Sequence, residues 1–330
     1  ALCGRRADRA AEVAARAGVP ESASDWRAFV RRDDLDIIVV STPVDLHAEM
    51  AIAAAKAGKR VYCEKPVGRD AKEALAMADA ADAGGVASAM GYEMRWYPER
   101  ALVSRLIGNG FLGAPHLAHS SQAAPMYRPG VSSPAQWKLM LGEGGGYVGA
   151  VTTHELDHLS WLFGEPETVC ADLRTEFPDR MLADGTAFTA TAEDVCAIMV
   201  RFASGALAVA SGSSVSIHST PYRFDATGSD GTICYTMTPA GPDGFIAAGP
   251  AGADRRPLDL VPRTPRSGLM PDPAAANNRN VVATALLLED WLPALRGEAS
   301  PVPTLRDGLR VQKIIDAARA SSDGAGWVRV

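Results

Sequence analysis

Apolar residues fall at Ala10, Val13, Ala14 and Ala17, spaced three and four apart, and Gly18 follows where a helix would end. This predicts a helix after a short strand over Ala1–Cys3. Ser24 is placed to cap a second helix carrying Trp26, Phe29 and Val30. Ile37-Ile38-Val39-Val40 is then apolar without alternation, the pattern of a parallel strand covered on both faces. The alternation continues with helix 45–57, strand Arg60–Cys63, helix 70–83 closed by Gly84-Gly85, and strand Val86–Met90. Such βαβ units predict an open parallel sheet. Beyond Pro115 the pattern changes to strand-like segments at 167–177, 194–202, 206–214 and 231–237, which predict a mostly antiparallel sheet. The Pro- and Gly-rich stretch 241–273 reads as a long surface loop, followed by helices at 274–295 and 305–320.

Length supports two domains, since 330 residues exceed what one hydrophobic core normally holds. The expected division is a Rossmann-like dinucleotide-binding domain over 1–114 and an α+β substrate-binding and oligomerisation domain over 115–330. The closing helices are expected to pack back on the first domain. The fold class is thus α/β, a Rossmann-type sheet followed by a mostly antiparallel open sheet. A net charge of −6 with no basic run argues against nucleic-acid binding. No stretch reaches the roughly 18 apolar residues of a membrane helix, and no basic leader precedes an apolar core, so a cytoplasmic protein without membrane contact is expected. Five cysteines, widely spaced and never C-x-x-C, suggest small buried hydrophobes rather than disulfides or a thiolate metal site.

Ligands of open parallel sheets sit beyond the carboxyl ends of the strands. Two of those ends are polar: Ser41-Thr42-Pro43, with His47 opening the next helix, and Glu64-Lys65-Pro66. Both point at one crevice. A glutamate and a lysine there either pair with each other at the surface or line a cleft. Downstream, Gly144-Gly145-Gly146 precedes a helix that carries His154 and Asp157 one turn apart on one face, with Leu156, Leu159 and Leu162 on the other. The same helix contains His154-Glu155-Leu156-Asp157-His158, a literal H-E-x-x-H. A zinc hydrolase would need a third ligand downstream, and Glu165 and Glu176 fall in a turn and a strand. No metal is therefore expected.

Together, VVSTPVDLHAEMAIAAAKAGKRVYCEKPVG, GYEMRWYP and QWKLMLGEGGGYVGAVTTHELDHLSWLFGE resemble the glucose–fructose oxidoreductase / inositol dehydrogenase / MocA family, and the resemblance continues to GLRVQKIIDAARASS. It implies a nicotinamide-dependent oxidoreductase, with Lys65 between nicotinamide and substrate and His154 facing it as the proton carrier. Asp157 would orient His154 or bind a substrate hydroxyl. On the cofactor side it implies Gly4, Arg5, Arg6, Ser41, Thr42, Pro43, His47, Glu64, Lys65, Pro66 and Arg95. Tyr92, Tyr127, Arg128, Trp137 and Lys138 are pocket candidates for a sugar or cyclitol. The family also implies a homodimer or homotetramer.

The chain departs from the family in three places. Ala150 stands where many members have an aspartate, which keeps a non-catalytic sugar- or nucleotide-binding relative in view. Gly4-Arg5-Arg6 ends a strand that usually ends in an acid, so NADP is expected over NAD. The Gly-rich phosphate loop, with its strand and helix, is not supplied ahead of the Ala1–Cys3 strand, so the expectations are a remainder of a longer chain and a parallel sheet divided between Ala1–Cys3 and Ile37–Val40.

Overall fold

The computed structural model describes residues 1–132, 134–182, 184–238, 241–250, 252–266 and 278–330, the side chain of residue 242 aside. The first part alternates β1 (Leu2–Cys3), α1 (Ala7–Arg16), β2 (Ser22–Ala23), α2 (Trp26–Phe29), β3 (Ile37–Val40), α3 (His47–Lys56), β4 (Arg60–Cys63), α4 (Ala71–Ala83), β5 (Ser88–Met90) and α5 (Pro98–Gly108). The parallel strands form two sheets, β1-β2 and β3-β4-β5, divided where expected. The cap of α2 is Asp25 rather than Ser24: its carboxylate accepts from the backbone N–H groups of Arg27 and Ala28, and only four helical residues follow.

The second part contains β6 (Pro115–Ala123), α6 (Thr153–Phe163), β7 (Pro166–Arg174), β8 (Asp179–Met181), β9 (Ala187–Thr189), β10 (Val195–Phe202), β11 (Leu207–Ser213), β12 (Tyr222–Gly228), β13 (Gly231–Thr238), β14 (Gly241–Ala248), β15 (Arg256–Pro257), α7 (Arg279–Trp291), α8 (Leu305–Ala320) and β16 (Val328–Arg329). Nine of these strands form one sheet in the order β15-β14-β13-β12-β6-β11-β10-β7-β16, antiparallel except at β6–β11.

Two expectations are corrected here. The stretch 241–273 is not a loop throughout. Its first eight residues pair with β13, because a Gly- and Pro-containing segment beside an exposed ladder still gains backbone hydrogen bonds. Residues 267–273 of that stretch and 274–277 of the next helix lie outside the described residues, and α7 runs from Arg279. The five cysteines are free: Cys63 and Cys196 are buried, whereas Cys3, Cys170 and Cys234 are only partly so.

Helix α6 is enclosed by α5, α8 and the strands β6 and β11. Its polar side is therefore buried as well as Leu156 and Leu159, and this sets the chemistry below. One hydrophobic cluster runs from Val40, Cys63 and Met90 through those leucines to Ile198, Phe224 and Ile314. Helix α8 lies across α4, where Arg306 pairs with Asp79 and Asp82 and the Asp316 carboxylate accepts from the Ala71 N–H. No helix among the described residues is long and apolar enough to cross a membrane.

Candidate active site

The two strand-end loops are tied together by one side chain. His47, buried at the start of α3, places Nδ1 3.0 Å from the Pro66 carbonyl oxygen and Nε2 2.9 Å from that of Thr42. Burial lowers its pKa against the opposing pull of those carbonyls, so the neutral ring donates to one of them at a time. Ser41 and Pro43 remain exposed beside it.

Glu64 and Lys65 do not pair with each other, although each feels the other's charge. Glu64 folds back against Gly91 and accepts from the Tyr62 hydroxyl at 3.2 Å and from the Lys65 N–H at 3.3 Å. The Lys65 ammonium reaches across to the second part and donates to the Ala150 carbonyl at 2.5 Å. Burial lowers its pKa, and Lys138 adds to the effect, against the opposing charges of Glu93 and Glu64. The Lys65–Pro66 peptide is cis.

Lys65 and Pro66 line a cavity of about 410 Å³ together with Met126, Tyr127, Trp137, Lys138, the glycine triplet and Ala150. The triplet serves the turn itself. Gly144 has φ +78°, and a Cβ there would meet Val44 at 2.7 Å; at Gly145 it would meet the Trp137 carbonyl oxygen at 2.4 Å. The loop is thereby pressed on both the β3 end and the Trp137-Lys138 turn. Arg128 is adjacent in sequence but donates to the Val215 carbonyl and stacks over Phe177, outside the lining.

After the triplet, a wide π-type turn over Val148–Thr152 leads into α6, capped by Glu193, whose carboxylate accepts from the Val148 N–H. His154 sits in the first turn of α6. It is 4% exposed and is not among the residues that line the cavity, although Ala150 and Val151, immediately before it, are. Its Nδ1 is buried without a partner, and the Tyr92 ring meets it edge-on at 6.0 Å. Burial, with the Lys65 and Arg100 charges added, holds its pKa well below the ordinary value. The imidazole is therefore neutral, with a nitrogen free. Tyr92 is itself buried, its hydroxyl 3.4 Å from that of Thr153.

Asp157 bonds Arg95 rather than His154, through Nε at 2.8 Å and Nη2 at 2.5 Å, and Arg95 also reaches Asp307. Burial opposes the Arg95 charge, but the two carboxylates outweigh it and keep the guanidinium above its ordinary pKa. Glu155, the general base a zinc hydrolase would need, is ion-paired to Arg100 and accepts from the Tyr222 hydroxyl at 2.7 Å. His158 packs between Phe224 and Trp161. Among the described residues no group of three or more His, Cys, Asp or Glu could hold a metal.

Glu93 is a residue that the sequence reading missed. It follows β5, and burial together with the Glu64 charge pushes its pKa up to about 7 although Lys65 and Arg100 oppose this. The rule that parallel strands end at one crevice applies to β5 as it does to β3 and β4, and would have found it. Arg5 and Arg6 are exposed beyond β1, beside Gly4, and among the described residues neither pairs with a carboxylate.

Residues 1–92 match the family model described as an oxidoreductase family with an NAD-binding Rossmann fold, and residues 101–234 match the GFO/IDH/MocA C-terminal domain. Levoglucosan dehydrogenase of Pseudarthrobacter phenanthrenivorans is 30% identical over 340 residues, covering 97% of this chain and 86% of that protein. Myo-inositol 2-dehydrogenase of Thermotoga maritima is 27% identical over 229 residues, covering 69% and 64%. A solved levoglucosan dehydrogenase in complex with NADH and L-sorbose superposes with a TM-score of 0.86 at 26% identity, over 99% of this chain and 88% of that one. With the two strand-end loops, the Lys65 cavity and α6 in this arrangement, the chain belongs to the Gfo/Idh/MocA family of NAD-binding oxidoreductases.

Proposed function

We propose that the protein transfers a hydride between NADP(H), or less favourably NAD(H), and a carbinol or keto carbon of a sugar, cyclitol or related polyhydroxylated compound. The observation that carries this is the meeting of Lys65, in the cavity, with the helical turn that leads into His154. Bound nicotinamide would take or give the hydride. The hydroxyl proton must leave as the hydride does, which requires a base within reach. An ammonium has three donors; Ala150 takes one, leaving two for the substrate oxygen on which alkoxide charge develops. Neutral His154, with Nδ1 free, accepts the proton, and Glu93 is a half-buried carboxyl beside Lys65 through which a proton could pass. Asp157, held by Arg95, anchors the α6 face instead of carrying a proton.

The strand-end loops suit the nicotinamide half of the cofactor, since His47 fixes Ser41–Pro43 against Glu64–Pro66. The unpaired Arg5 and Arg6 suit a 2′-phosphate. A fluorescence titration of NADPH and NADH into the chain tests this first, followed by turnover of levoglucosan, myo-inositol and D-glucose. Micromolar binding with NADPH preferred is expected. Binding without turnover of any polyol would favour the non-catalytic relative.

A further inference from the structure

We infer that Glu93 passes the proton released in the oxidative direction to solvent, so that turnover in that direction requires its carboxylate to be ionised. This rests on the preceding reading of Lys65 and His154, which leaves the substrate's hydroxyl proton on a buried imidazole. His154 holds that proton poorly, because burial and the nearby Lys65 and Arg100 charges all oppose an imidazolium. It needs an acceptor before the next turnover.

Three of the surrounding carboxylates are committed. Asp157 is bound by Arg95, and Glu155 by Arg100 and the Tyr222 hydroxyl. Glu64 folds back against Gly91 and accepts from the Tyr62 hydroxyl and the Lys65 N–H. Glu93 is half-buried, and among the described residues it is in no ion pair. The fold sets it beside both groups that the reaction uses. Cys63 and Met90 stand opposite each other in the β4–β5 ladder, and the Gly91 N–H donates to the Cys63 carbonyl at 2.8 Å, so Lys65 and Glu93 leave adjacent strand ends. Tyr92, the residue before Glu93, meets the His154 ring edge-on at 6.0 Å. The charges that act on Glu93 are Glu64 and Lys65 from the end of β4 and Arg100 from α5, and the hydroxyls of Tyr62 and Tyr97 feel its own. Lys65 and Arg100 are also the cations that His154 faces.

The protons balance. Once the oxidised product has left, Lys65 gives one ammonium proton to the Glu93 carboxylate and takes the proton carried by the His154 imidazolium. The Glu93 carboxyl then releases its proton to water. Lys65 is again charged, His154 neutral and Glu93 ionised. Burial, with the Glu64 charge, places the Glu93 pKa at about 7, where one carboxyl both takes up and releases a proton near neutrality.

Two measurements test this. The first needs no turnover: carboxyl ¹³C NMR of the glutamate-labelled chain, titrated from about pH 5 to 9, with Glu93→Gln assigning the signal. A glutamate titrating near 7 is expected, moving upward in Lys65→Met as a facing positive charge is lost. Titration in the ordinary glutamate range, or no response to Lys65→Met, would overturn the inference. The second is kcat against pH for oxidation of levoglucosan, myo-inositol or D-glucose with NADP or NAD. The wild type should lose rate about tenfold per pH unit below about 7, a limb that His154, with its pKa well below 6.5, does not produce. Glu93→Gln should be about tenfold or more slower at pH 8 and lack the limb, and Glu93→Asp should restore it. A limb unchanged in an active Glu93→Gln would refute the inference alone. Wild type that binds cofactor and oxidises none of the polyols would refute hydride transfer to this substrate class and the proton route with it, while the NMR titration still decides the coupling of Glu93 to Lys65.

Discussion

The Lys65 ammonium donates to the carbonyl of Ala150 at 2.5 Å, joining the end of β4 to the turn that enters α6. A lysine from one sheet and a histidine from a helix packed on the other are thereby brought to the same place. The Lys65 ammonium adds to burial in lowering the affinity of His154 for a proton, because an imidazolium there would be repelled in a poorly solvated site.

Replacing this lysine separates its role from cofactor binding. Lys65→Met is expected to lower kcat by about 10²–10³, the usual consequence of removing a donor at a developing oxyanion. The Kd for NADPH should change less than about threefold, since in this reading Lys65 answers charge on the substrate. Steady-state kinetics and a cofactor titration on the same preparation check both; unchanged kcat would remove Lys65 from the chemistry.

The arginine pair at the end of β1 should set cofactor choice. Arg5→Ser with Arg6→Ser is expected to weaken NADPH binding by about ten- to a hundredfold, the worth of one charge-assisted hydrogen bond, with little effect on NADH. If both cofactors weaken equally, the arginines act on a group that the two share.

His158 provides a pH-dependent test of the core. Both its ring nitrogens are buried without partners, and burial, with the Arg100 and Arg95 charges, keeps its pKa well below the ordinary 6.5. Below pH 6.5 the unfolded chain takes up this proton and the folded chain does not, so stability falls as pH falls. His158→Leu removes that proton from the balance. Between pH 6.5 and 5.5 the wild type should therefore lose about 1 kcal/mol more than the variant in urea unfolding. Glu93, whose raised pKa acts in the opposite sense, is common to both proteins and cancels. Parallel pH dependences would mean that His158 is protonated in the fold.

The Arg100–Glu155 pair should be structural. Arg100 also donates to the His154 carbonyl at 3.1 Å, so it holds the helix turn as well as the carboxylate. Arg100→Met leaves Glu155 buried with only Tyr222 and is expected to cost about 3–5 kcal/mol, whereas adding Glu155→Leu should recover much of it. Chemical denaturation of the two variants decides; a single variant as stable as the wild type would mean that water reaches Glu155.

Where side-chain pattern reflects local chemistry, the chain was readable from its residues. Ile37–Val40 is the parallel strand that its β-branched run predicts, although only Ile38 and Val40 face the core while Val39, expected to be covered, is 60% exposed; E-K-P ends its strand at the crevice, and α8 occupies Leu305–Ala320 as its spacing predicts. β6 was not readable: its PHLAHSSQA segment is polar, and it stands in the middle of the sheet because β11 and β12 supply its ladder. The same holds for Gly241–Ala248, whose strand exists only beside β13. In the site, helical spacing put His154 and Asp157 on one face, but it could not show that the face is buried. Burial is what gives Asp157 to Arg95, gives Glu155 to Arg100 and Tyr222, and strips the proton from His154. Partner choice and pKa depend on what packs against a helix from elsewhere in the chain, and contacts at a sequence separation of fifty residues or more leave no periodicity to read.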